Sequence, residues 1–133
     1  MNNHTDLHLL VNDVLNSFLP LAVSRKSFIV NDVSHNMIIY ADKDILALVL
    51  GDLIKTTLAY AENDCIRVSA NYFSDTVFLN VKETSQRPYA AVAESVERIQ
   101  PLAEKLGGCI TVNSDGSNRV SISLSFYNAT KAA

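Results

Sequence analysis

Residues 41–60 read ADKDILALVLGDLIKTTLAY. Asp42 stands where a helix N-cap should be, and Ile45, Leu46, Val49, Leu50, Leu53, Ile54, Thr57 and Leu58 follow at spacings that keep them on one broad side of a helix. A stripe this wide over about four turns must be covered on most sides, so the segment predicts a largely buried helix. The flanking sequence supplies strands to bury it. From Cys65 the period becomes two, with Ile66, Val68 and Ala70 on one side and Arg67, Ser69 and Asn71 on the other, and the next strand turns Val77, Leu79 and Val81 inward. Ile110 and Val112, a turn through 113–118, and then Val120, Ile122, Leu124 and Phe126 alternating with Ser121, Ser123 and Ser125 predict a hairpin with one wet face. Every strand has a polar side, so the sheet is covered on one face only and the helices pack there.

Upstream, Asp6 to Ala22 carries Leu7, Leu10, Val14, Phe18 and Leu21 at helical spacing, with Thr5 or Asp6 as cap and Pro20 bending or ending the last turn. Lys26 to Val30 and Met37 to Tyr40 predict two strands of a hairpin, joined by a turn over Asn31 to Asn36. After Pro88, Val92, Val96, Ile99, Ala103 and Leu106 mark a helix that Pro101 kinks or splits near Gln100 and that Gly107 and Gly108 end. The expected architecture is an α/β two-layer sandwich, a mixed sheet of about six strands with three helices on one face. It forms one domain over 1–133, ordered from about 5 to 127 with a frayed tail over 128–133.

The composition narrows function. Eleven Lys and Arg against fourteen Asp and Glu give a net charge of −3, and no basic cluster offers a nucleic-acid footprint. The apolar run Ile45 to Gly51 is far short of the roughly 18 residues of a membrane span, and the polar start lacks a signal-peptide pattern, so a cytoplasmic protein is expected. Cys65 and Cys109 read as reduced, semi-buried thiols rather than a disulfide or zinc site, and His4, His8 and His35 are too scattered for a catalytic or metal cluster.

The element order, with Ala41-Asp42-Lys43-Asp44-Ile45-Leu46 and the run from Leu102 through Gly107-Gly108-Cys109-Ile110 to Ser114, resembles the ATPase domain of sensor histidine kinases, a Bergerat-type fold shared with gyrase B and MutL. The resemblance covers about Leu7 to Phe126. It implies a nucleotide site whose parts depart from the family's pattern. In Val49 to Ala61, Thr56 stands at the magnesium-binding Asn and Ala59 at the phosphate-binding Lys; a hydroxyl is a poorer magnesium ligand, and alanine brings no charge. The adenine motif falls at Glu83 to Arg87, with Ser85 and Arg87 where the family has glycines. The four glycines of the chain are Gly51, Gly107, Gly108 and Gly116, and only Pro88 precedes the helix expected from Tyr89, so the glycine-rich phosphate cradle and lid are missing.

What the resemblance leaves is a vestigial nucleotide pocket of Asp52, Thr56, Tyr60, Glu83 and Ser85, with no catalytic residue, cofactor or metal. On residue chemistry alone, Tyr60 reads as an aromatic covering the sheet and Asp52 as a partly exposed polar residue. The expected function is that of a degenerate, noncatalytic ATPase-like domain working through protein contacts in bacterial two-component signalling, as in phosphotransferases with a decayed domain. Its partner would be a response regulator or a histidine kinase, or a second copy in a homodimer. Leu7, Leu10, Val14 and Phe18 of the first helix, or the surface left by the missing lid, would make the contact. The competing expectation is an ATP-binding kinase domain that holds ATP and magnesium in an atypical site.

Overall fold

A computed structural model describes residues 4–86, 89–114 and 119–128, without the side chains of 84–86. Asp42 caps α3 (Lys43–Ala59), its carboxylate accepting from the amides of Asp44 and Ile45 at 3.0 and 3.1 Å. Leu46, Val49, Leu50, Leu53, Ile54 and Leu58 of this helix are buried in a single core. Asp42→Ala should cost about 1 kcal/mol, read as a lower urea midpoint at unchanged slope.

Five strands form the main sheet in the order β2 (Phe28–Asn31), β4 (Cys65–Phe73), β5 (Thr76–Gln86), β7 (Arg119–Tyr127) and β6 (Gly108–Ser114). Only β2 and β4 pair in parallel. The alternation expected of β4, β5 and β7 holds: Ile66, Val68, Val77, Leu79, Val81, Ile122, Leu124 and Phe126 face the core, and Arg67, Ser69, Lys82 and the serines of β7 occupy the other face. Cys109 lies on that outer face and is exposed, where a semi-buried thiol was expected; Cys65 is half-buried.

The hairpin expected over residues 26–40 does not form. β3 (Ile38–Tyr40) pairs instead with β1 (His4–Asp6), a strand too short to show in the sequence, and the two make a separate antiparallel ribbon. The sheet expected to have six strands is therefore one of five and one of two. The physical reason is that the intervening loop is packed rather than a free turn. Val33 and Met37 are buried, the His8 Nδ1 donates to the Val33 carbonyl at 2.7 Å, and the Asn31 amide donates to the His8 carbonyl at 3.0 Å. β3 is held from other directions too. The Tyr72 hydroxyl donates to the Ile38 carbonyl at 2.6 Å, and the Tyr40 amide donates to the buried Asn128 side chain at 2.8 Å.

Both proline-bearing helices are split. The first becomes α1 (Leu7–Ser17), capped by Asp6, and α2 (Leu19–Ser24), which break at Phe18 with Pro20 in the opening turn of α2. The last becomes α4 (Tyr89–Glu97) and α5 (Gln100–Glu104), with Pro101 in the opening turn of α5. Three expected helical segments thus appear as five helices, because a proline is tolerated in the first turn but not within a helix.

The core-facing stripe of α1 differs from the expected one. Leu7, Val11 and Leu15 are its buried residues, whereas Leu10, Val14 and Phe18 are half-buried along an adjacent line.

Candidate functional site

Asp52, Thr56 and Tyr60 recur every four residues, which puts them on one side of α3. Asp52 is exposed and Thr56 half-buried. Tyr60 is the C-cap residue and 55% exposed. The buried threonine is the neighbour, Thr57, whose hydroxyl donates to the Leu53 carbonyl at 2.8 Å.

Glu83 lies opposite Ile66 on β5, on the core-facing side, with its Oε1 shielded from solvent. At Glu83 the β5–β7 register shifts. Lys82 pairs with Ser121, and pairing resumes only at Gln86 with Arg119. Beside this irregularity there is a recess of about 350 Å³ lined by Lys82, Glu83, Asn113, Ser114, Arg119 and Ser121. Neither Thr56 nor Tyr60 lines it. The structure therefore does not gather the five residues of the expected pocket around this one cavity. The Ser85 side chain, Arg87 and Pro88 lie outside the described residues. β5 runs to Gln86 and α4 starts at Tyr89, leaving residues 87 and 88 between them.

The larger concavity lies on the other flank of α3. A groove of about 720 Å³ runs between α1 and α3, walled by Leu10, Asp13, Val14, Ser17 and Phe18 from one and by Lys43, Asp44, Ala47, Leu48 and Gly51 from the other. Three of the four first-helix residues expected at a partner contact line it, while Leu7 is wholly buried in the core. Leu48 was outside the expected contact set. Its signal in the sequence is that it is the one leucine of α3 off the core stripe, and it is 59% exposed. Among the described residues, no group of three or more His, Cys, Asp or Glu converges for a metal, and no helix is long and apolar enough to cross a membrane.

The sequence matches no protein-family model and no curated protein. Solved structures do match. The Acinetobacter baumannii histidine kinase AdeS superposes with a TM-score of 0.81 at 15% identity, over 96% of this chain and 68% of its own. Full-length ShkA in complex with AMPPNP matches with a TM-score of 0.78 at 20% identity, over 99% of this chain and 32% of its own. The histidine kinase ThkA in complex with the response regulator TrrA matches with a TM-score of 0.77 at 16% identity, over 96% of this chain and 42% of its own. With its one-sided mixed sheet and its buried α3, this chain has the fold of the histidine kinase ATPase domain.

Proposed function

We propose that the chain is a noncatalytic, degenerate ATPase-like domain that serves as a protein-interaction module in two-component signalling. The observation that carries this reading is the short connection from β5 to α4, residues 87 and 88 alone. A lid that wraps a triphosphate needs several backbone amides and glycines to present them, and no glycine lies between Glu83 and Leu106. Thr56 and Ala59 at the magnesium and phosphate positions add to it, as does a Glu83 recess that Thr56 and Tyr60 do not share. The residues present do not fit Mg-ATP. By analogy of fold with ThkA and TrrA, the partner class is a response regulator, and the cytoplasm is where such a partner would be met.

Calorimetric titration of the chain with millimolar ATP and ADP, with and without magnesium, tests the reading. The expected result is no binding heat and no rise in melting temperature. Saturable binding that Glu83→Gln or Tyr60→Ala abolishes would overturn it and establish an ATP-binding kinase domain with a rearranged site.

A further inference from the structure

We infer that the groove between α1 and α3 receives an amphipathic helix of a partner protein, one whose apolar stripe is flanked by Lys and Arg. This deepens the interaction reading above by giving the contact a place and a chemistry. α1 carries two apolar lines: Leu7, Val11 and Leu15 are buried, and Leu10, Val14 and Phe18 pack against the core while remaining half-buried. The second line, Leu10, Val14 and Phe18, faces the groove. Opposite it, α3 offers Ala47, Gly51 and the exposed Leu48. Gly51 brings α3 close to the Phe18 ring at the groove floor: a Cβ there would lie in van der Waals contact with that ring, at 3.8 Å.

The dimensions suit a helix. Leu10 and Lys43 line one recess at one end of the groove, and Phe18 lies beside Gly51 at the other, so α1 and α3 run in the same direction. Each wall spans position i to i+8, about 12 Å or two turns, the reach of an i, i+3/i+4, i+7 set of anchors. Charge then selects the occupant. Asp13 and Asp44 stand on the walls beside Lys43, and a recess that shares Leu10, Asp13 and Lys43 brings in Asp6 and His4, three carboxylates against one lysine and one imidazole. A helix with cations beside its apolar stripe meets this rim favourably, and one with carboxylates there is repelled.

The test uses two fluorescein-labelled peptides of about 18 residues, long enough to be helical when bound. They share the same leucine stripe, and the remaining positions are Lys in one and Glu in the other. Titrated with the full chain near physiological salt, the Lys peptide should bind saturably and at least about tenfold tighter than the Glu peptide. Leu48→Glu should weaken the Lys peptide by about tenfold or more. Because that change adds a negative charge, general attraction would strengthen binding, so a loss reports the apolar contact. Asp13→Lys with Asp44→Lys should reverse the preference, and Glu62→Lys, away from the groove, should not. All four positions are exposed, so circular dichroism melts should stay near wild type.

Equal binding of both peptides, or full binding by Leu48→Glu, overturns the inference. So does a wild-type chain that sediments as a dimer and becomes monomeric on Leu48→Glu, since the groove then holds a second copy. Nucleotide titration separates this result from the preceding reading: a chain that binds both ATP and the Lys peptide loses the noncatalytic reading and keeps the groove.

Discussion

Replacing Phe126 by alanine is expected to lower the unfolding free energy by about 3–5 kcal/mol and the melting temperature by about 10–20 °C. Phe126 is 1% exposed, is the largest wholly buried side chain among the described residues, and stands opposite Val77 on one side and Gly108 on the other. The void would open beneath three strands at once, with β5 and β6 tied to β7 through ladders that leave little room to collapse. A thermal melt followed by circular dichroism measures the loss. Phe73→Ala, at a ring 72% exposed, should stay within about 0.5 kcal/mol of wild type. A Phe126 variant that melts like the Phe73 variant would show that β7 is not the centre of the core.

The second large effect is expected at Gly108. A Cβ built there would collide with the Ser125 carbonyl oxygen and lie 2.8 Å from the Phe126 Cβ, both on β7. The Ser125 oxygen is main chain and cannot swing aside, so β6 must pull away from its partner. Gly108→Ala should therefore cost about 2–3 kcal/mol, and it should speed amide exchange along β6 before the rest of the sheet. Gly107 is the internal comparison. Its φ of +77° favours glycine, yet a Cβ there meets nothing within 4 Å, so Gly107→Ala should cost only about 1 kcal/mol. Equal losses at the two positions would mean that backbone conformation, rather than close approach of the strands, is what Gly108 supplies.

These two glycines show how far the sequence reads. Gly107-Gly108 marks the end of a helix by residue type, but the reason for the second glycine is a neighbour 17 and 18 positions away, which no local pattern contains. α3, β4, β5 and the β6–β7 hairpin were legible because burial on one side imposes a period that a long element repeats several times. The two proline breaks were legible because a missing N–H is a local fact. Residues 26–40 were misread because Asn and Asp mark a turn without saying which strands it joins. β2 and β3 have the right composition for a hairpin, yet their pairing is decided by β4 and β1. At the expected nucleotide pocket, residue identities and family resemblance placed Asp52, Thr56, Tyr60 and Glu83 in order along the chain. The register shift between β5 and β7, beside which Glu83 has its recess, depends on strand pairing and left no trace in the sequence. The groove was half legible: Leu10, Val14 and Phe18 stood out as a line, and only the packed structure separates that line from the one that builds the core.

The bond between the Tyr40 amide and Asn128 joins residues 88 apart in the chain. A ribosome adding about 5–20 residues each second makes the first of these groups several seconds before the second. Within that interval β2, β4 and β5 are complete by residue 86, but β7, which pairs with both β5 and β6, begins only at Arg119, so α3 has three of the five strands to lie on while the edge of β5 stays open. Nascent chains in this window present both an open strand edge and a partly covered apolar helix, the two features that recruit chaperones or other unfinished chains. The strand order thus closes the sheet late: β7 lies between β5 and β6 yet is the last strand made, so the β5 edge is open until it arrives.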